Sequence, residues 1–277
     1  MSASLPAQLL YEISGNSAHA PSYLLAVNRL TEVRFLDTIP NLFTVYGRCK
    51  RVVTEFAFQD YEALAALRQA ALLPDSVRLS NFFTEDEYAA LDQAMLTTVG
   101  MGMDQLGRMK PSYLCELYRT ELLRKSLLYD EKTSMESFFE QVAAQTNIPV
   151  VGLDNTGETM YMLFDREPFE WQCEELKRVI AHPERELHLE EQLAAMYRYG
   201  RLNDMVYLVT APDNTSSLSY SDYQVYARRN EQWAKRLVPY LTEGKAFLTL
   251  NAVYLGGEQG LIAVLRKNGY RVRKVNP

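Results

Sequence analysis

Short apolar runs alternate along the whole chain with longer stretches of helical periodicity, and that alternation dictates the fold class. The strand-like runs are Leu9–Ile13, Tyr23–Asn28, Arg51–Glu55, Pro149–Asp154, Ala246–Leu250 and Tyr270–Val275. Between them, apolar residues recur at the three- and four-residue spacing of helices packed on one face. Helices are expected over Asp60–Leu72, from Thr84 through Met95, Pro111–Tyr129, Thr133–Gln145, Phe169–Ile180, Pro183–Tyr197, Met205–Val209, Asp222–Leu241 and Glu258–Asn268. Strands interleaved with helices predict an α/β fold, a mixed central sheet flanked by helices on both faces, over a single domain of residues 1–277. No repeat of fixed period and no low-complexity segment interrupts it.

Several local signals sharpen this outline. Thr84 is followed three residues later by Glu87, and Thr133 by Glu136, the spacing of a capping box at a helix start. Pro149–Asp154 reads as a buried strand. Gly100–Gly107, with the sequence GMGMDQLG, lacks the Lys-Ser/Thr ending of a phosphate loop and follows no strand, so a flexible connection is expected there. Pro212–Ser219 reads as a polar loop.

Composition excludes some classes of function. The net charge of −6 makes nucleic acid and anionic membrane poor partners. The basic residues Arg266, Lys267, Arg271, Arg273 and Lys274 fit a solvated helix end and strand edge. No window holds eighteen consecutive apolar residues, so no transmembrane helix is expected. The first ten residues lack a basic start and an apolar run, as a signal peptide would need. The sequence as it stands therefore points to the cytoplasm, or to an extracytoplasmic protein if a signal or lipid anchor precedes it. Cys49, Cys115 and Cys173 are odd in number, far apart and without a CxxC, which fits buried free thiols. His19 lies in a polar turn, and His182 and His188 fall on different helix faces, a poor metal pair. No Gly-x-Ser-x-Gly elbow is present.

In an open α/β sheet, a site sits beyond the strand ends. Three such ends are distinctive: Ser22-Tyr23-Leu24-Leu25-Ala26-Val27-Asn28-Arg29, then Val52-Val53-Thr54-Glu55, then Asn251-Ala252-Val253-Tyr254-Leu255 with Gly256-Gly257-Glu258-Gln259-Gly260-Leu261 after it. These segments resemble the TraB/GumN family, which includes the Tiki peptidases and is related to erythromycin-esterase-like proteins. The family pattern is S-Y-L-L-G-T-x-H near the N-terminus, an acidic residue closing the next strand, and G-x-x-H-L-x-G-x-x-G-L near the C-terminus. Val264–Val272 matches the L-L-R-x-x-G-Y-x-V that follows. Glu136, Ala143 and Pro149–Asp154 fall in the register of the family's middle segment. Met196–Gly200 resembles its A-Y-x-x-G helix end, and Arg229-Asn230 its R-N helix start.

The resemblance implies a divalent metal held by two histidines and a glutamate, activating water. Here both G-x-x-H phrases have changed, to Ala26-Val27-Asn28-Arg29 and Asn251-Ala252-Val253-Tyr254. A guanidinium has no lone pair for a metal, and a neutral phenol is a weak ligand. The expectation is therefore no metal and no cofactor. The first functional expectation is a pseudoenzyme that binds a small molecule, peptide or protein through the inherited cleft. The alternative is a hydrolase or metallopeptidase-like enzyme remodelled around Glu55, Arg29, Arg229 and Tyr254, with Glu55 as general base.

Each candidate carries two readings. Glu55 is a catalytic remnant or a carboxylate paired with Arg29. Arg229 binds an anion or holds a carboxylate such as Glu55 or Asp154. Tyr254 is a hydrogen-bond donor or a packed ring, and Asn251 faces the pocket or forms a turn. Glu136 fits a cap.

Overall fold

The computed structural model describes residues 8–28, 31–57, 61–126, 133–210 and 220–275, with side chains of 220–223 excepted. In chain order its elements are β1 (Leu10–Gly15), β2 (Ser22–Val27), α1 (Leu42–Tyr46), β3 (Arg51–Thr54), α2 (Tyr61–Ala70), α3 (Glu85–Thr98), α4 (Met103–Leu106), α5 (Pro111–Ser126), α6 (Met135–Gln145), β4 (Val150–Gly152), α7 (Thr156–Met160), α8 (Phe169–Ala181), α9 (Pro183–Arg198), α10 (Leu202–Thr210), α11 (Tyr220–Glu243), β5 (Ala246–Asn251), α12 (Leu261–Lys267) and β6 (Tyr270–Lys274). The fold is α/β with a mixed six-stranded sheet. The chain divides into two compact units. The first comprises residues 1–57, 131–154 and 190–277; the second comprises 58–130 and 155–189.

The first unit holds the sheet, in the order β4-β3-β5-β2-β1-β6. Strands β4, β3, β5 and β2 run parallel, while β1 pairs antiparallel with both β2 and β6. Successive side chains on a strand point to opposite faces, so the register sorts the core. Phe247 and its partner Val52 face one way; the Phe247 ring meets Phe139 of α6 at 4.8 Å and Tyr46 of α1 at 5.1 Å. Ala246 and its partner Arg51 face the other way, where Arg51 lies over the Tyr240 ring of α11. Helices thus cover both faces, and Leu24, Leu25, Phe247 and Leu248 are sealed between them.

The second unit is helical. Its core gathers Leu91 and Met95 of α3, Leu114, Cys115 and Tyr118 of α5, and Cys173, Leu176 and Val179 of α8. A buried ion network crosses it. Arg119 donates to Glu175 at 2.5 Å and to Glu186 at 2.8 Å, and Arg178 reaches the same two carboxylates at 2.7 and 3.2 Å. With Arg119 and its two carboxylates all under a tenth exposed, removing any one of them would leave a buried charge uncompensated.

Three local expectations change. The GMGMDQLG segment contains α4, and Met103 and Leu106 are buried in the second unit's core. Gly102, its N-cap, lies where an added Cβ would come within 2.8 Å of the Asp92 carboxylate, so the glycine serves close packing rather than looseness. The cap of α6 is Ser134 with Ser137, one residue beyond Thr133 with Glu136, because the two serine hydroxyls satisfy each other's backbone N–H groups. Glu136 is then simply an acidic residue of the first turn. Strand β4 is half buried, being at the sheet edge. The box at Thr84 and Glu87 forms as its spacing indicates. Residues 127–129 and the loop expected at 212–219 lie outside the described residues.

All three cysteines are buried and free. Burial pushes the Cys49 thiol up to about 12 and Cys173 up to about 11, which keeps both protonated and inert at neutral pH. Among the described residues, no helix is long and apolar enough to cross a membrane.

Candidate functional site

The carboxyl ends of the parallel strands converge in the first unit. The register sets Val27 of β2 beside Asn251 of β5, and Thr54 of β3 beside both Thr249 of β5 and Gly152 of β4. The residues that follow, Asn28, Glu55, Asp154 and the Ala252–Tyr254 turn, therefore leave the sheet at one edge, where α/β folds place ligands. Gly152 permits this: a Cβ there would come within 2.9 Å of the Ala57 backbone nitrogen. Leu153 and Asp154 then donate backbone N–H groups to the Thr54 and Glu55 carbonyls, fixing the two acidic residues side by side.

Helix α11 supplies the other half. Tyr226, Arg229, Asn230 and Trp233 sit at positions i, i+3, i+4 and i+7, so they share one helix face. Arg229 donates to Asp154 Oδ2 through Nε at 2.8 Å and Nη2 at 2.5 Å, and its Nη2 lies 3.2 Å from Glu55 Oε2. The Trp233 indole N–H donates to Asp154 Oδ1 at 2.6 Å. The guanidinium carbon lies against two rings, 4.3 Å from the Trp233 centroid and 4.6 Å from that of Tyr254. Tyr254 in turn stacks on Tyr226 at 4.3 Å. Asn230 donates its amide to the Tyr254 and Gln259 carbonyls, holding the turn against α11.

The other carboxylate oxygens also have partners. Glu55 Oε1 accepts from the Asn251 backbone N–H at 2.9 Å. The Asn251 side chain accepts from the Val253 N–H, so it caps the turn rather than reaching into the site. Arg236 donates to the Leu153 carbonyl at 2.6 Å and lies 3.7 Å from Asp154 Oδ1. Away from the edge, Tyr197 of α9 donates its hydroxyl to the Ala26 carbonyl at 2.9 Å, pinning the end of β2.

Electrostatics follow from this enclosure. Burial raises the Glu55 carboxyl, and Asp154 adds to it, against the lowering influence of Arg229 and the Asn251 amide. Burial pulls the Arg229 guanidinium down, but the Glu55 and Asp154 carboxylates outweigh it and leave its pKa raised. Tyr254 is pushed well above its ordinary value, first by burial and then by Tyr226, so it stays a neutral phenol.

Of the six residues singled out from sequence, five meet here: Glu55, Asp154, Arg229, Asn251 and Tyr254. Arg29 lies outside the described residues, and so does its expected pairing with Glu55. The described guanidinium that Glu55 meets is Arg229. Sequence reasoning passed over Trp233 and Tyr226, although their helical spacing from Arg229 marks them.

A divalent metal of the kind the resemblance implies does not fit these groups. Both oxygens of Asp154 and both of Glu55 already face N–H donors, and Tyr254 presents a protonated hydroxyl hydrogen-bonded with Tyr226. Among the described residues, no three His, Cys, Asp or Glu side chains converge as ligands. A surface hollow of about 490 Å³ exists elsewhere, lined wholly by second-unit residues including Phe83, Tyr88, Asp92 and Met103, none of them a sequence-derived candidate.

No curated protein and no solved structure matches the chain. The sequence profile of the TraB/PrgY/gumN family does, over residues 9–274. With nearly the whole chain covered and the strand-end residues gathered at one sheet edge, this protein belongs to the TraB/PrgY/gumN family.

Proposed function

We propose that this protein is a non-catalytic member of its family, whose inherited site is an ion-paired cluster and whose role is to bind a small molecule, peptide or protein. One observation carries the reading: every carboxylate oxygen of Glu55 and Asp154 is turned toward an N–H group of Arg229, Trp233 or the Asn251 backbone. A general base or a metal ligand needs a free lone pair aimed at its target. Arg229-Asn230 resembles the family's R-N segment, although here it lies within α11; this reading takes the guanidinium as inherited and the loss of both imidazoles as what sets the chain apart.

A second reading has one observation in its favour. Burial raises the Glu55 carboxyl, in the direction of an acid–base group working near neutral pH. On that reading the protein is a remodelled hydrolase acting through Glu55, with Arg229 and Tyr254 stabilising developing charge. A screen against peptide and ester substrates, with and without manganese, cobalt or zinc, separates the two. The non-catalytic reading expects no turnover above background in any arm. Turnover that disappears in Glu55→Gln, with the fold intact by circular dichroism, establishes the hydrolase instead.

A further inference from the structure

Arg229 is held the way a protein holds a bound guanidinium ligand. Two carboxylates meet its N–H edge, Asp154 through two donors and Glu55 through one, and its carbon lies 4.3 and 4.6 Å from the centroids of the Trp233 and Tyr254 rings, which are tilted against each other to form a corner. Carboxylates on the edge and aromatic rings on the face are the two complementary ways of recognising a planar, delocalised cation.

Each wall of this enclosure has an anchor other than Arg229. Glu55 is held through Oε1 by the Asn251 N–H. Asp154 is held through Oδ1 by the Trp233 indole, and its own N–H donates to the Glu55 carbonyl. Tyr254 is stacked on Tyr226, with its carbonyl tied to Asn230. Trp233 is wholly buried. The carboxylates and rings thus keep contacts of their own when the Arg229 side chain is cut back to Cβ.

We propose that the box of Glu55, Asp154, Trp233 and Tyr254 is a guanidinium-binding site for which Arg229 serves as a tethered ligand, and that free alkylguanidinium compounds enter it once that tether is cut. The chemical class is specific. Ammonium ions lack the planar N–H edge that two carboxylates share here, and divalent ions find the phenol where the family has an imidazole. This inference rests on the non-catalytic reading only in that no metal competes for the two carboxylates.

The test uses the full chain carrying Arg229→Ala, titrated with N-ethylguanidinium and followed by thermal unfolding. Sodium, tetramethylammonium and magnesium chlorides at equal ionic strength are the comparison arms. The expected result is a saturable rise in melting temperature, roughly 2–5 °C at ten times the dissociation constant. It should be confined to the guanidinium arm, absent in wild type, and lost when Trp233→Leu is added. If Arg229→Ala does not fold alone, Arg229→Gln and the refolding yield with and without N-ethylguanidinium give the same readout. No saturable effect in either variant, or an equal effect from the other salts, overturns the proposal. Catalytic turnover by wild type would instead overturn the non-catalytic reading, a separate measurement.

Discussion

Arg229 grips one oxygen of Asp154 with two of its nitrogens, at 2.8 and 2.5 Å, and so joins helix α11 to the chain leaving strand β4. The two side chains are 12 % and 3 % exposed, so removing either partner strands a charge with little access to water.

Arg229→Ala is expected to lower stability by about 3–5 kcal/mol, as when one member of a buried pair is removed. Adding Asp154→Asn should return part of that loss, since Arg229→Ala then leaves one carboxylate fewer uncompensated. Chemical denaturation of the two single variants and the double variant measures the coupling. Additive losses would mean that the pair is solvated and structurally minor.

Glu55 and Glu175 should oppose each other in their pH dependence. Burial, the largest influence, raises the Glu55 carboxyl above its ordinary value of 4.5. The native state then holds a proton that the unfolded chain has released, so the Glu55 contribution is full below about pH 4.5 and is lost as pH rises through its folded value. Wild type measured against Glu55→Gln should therefore lose relative stability from pH 4 toward neutrality. A flat difference would show that Arg229 fully offsets the burial.

Glu175 runs the other way. Burial pushes its carboxyl up, but Arg178 and Arg119 outweigh that and leave it below 4.5. Its contribution is present above about pH 4.5 and lost as pH falls through the lowered value. Glu175→Gln should cost roughly 1.5–3 kcal/mol at pH 7, the worth of hydrogen bonds to charged groups, and should flatten the acid limb of the stability curve. An unchanged acid limb would place the network outside the acid transition.

Tyr197→Phe removes the hydroxyl that donates to the Ala26 carbonyl and reaches Met135 Sδ. The loss expected is about 0.5–1.5 kcal/mol, with the exposed carbonyl adding to it if no water enters. Hydrogen exchange at the end of β2 should quicken in this variant, and an unaltered exchange rate there would show that the sheet alone holds the strand end.

Much of this site was legible because the strand ends carry recognisable residues; Arg229-Asn230, which resemble a helix start, lie instead well inside α11. Glu55, Asp154, Asn251 and Tyr254 each follow a short apolar run, and the parallel register brings those ends together without further information. Pairing was harder. Sequence offered two partners for Glu55, Arg29 and Arg229; the described one is Arg229, 174 positions along the chain, which also holds Asp154 as one of its two readings allowed, and no local pattern chooses between the two arginines. Trp233 and Tyr226 were overlooked because aromatic residues at helical spacing read as core; only the fold shows that one lends an N–H to Asp154 and the other a face to Tyr254. The slipped cap at Ser134 has a simpler cause, since Thr133 and Ser134 are adjacent capping residues and the backbone chooses between them.

The central claim is that the inherited strand-end site no longer takes a metal. Elemental analysis of protein purified without chelator, followed by titration with zinc, manganese and cobalt, tests it most directly. The expected result is no stoichiometric metal as purified and no saturable binding on titration. Tight binding of about one ion per chain that disappears in Glu55→Ala would contradict it and restore the metallopeptidase reading.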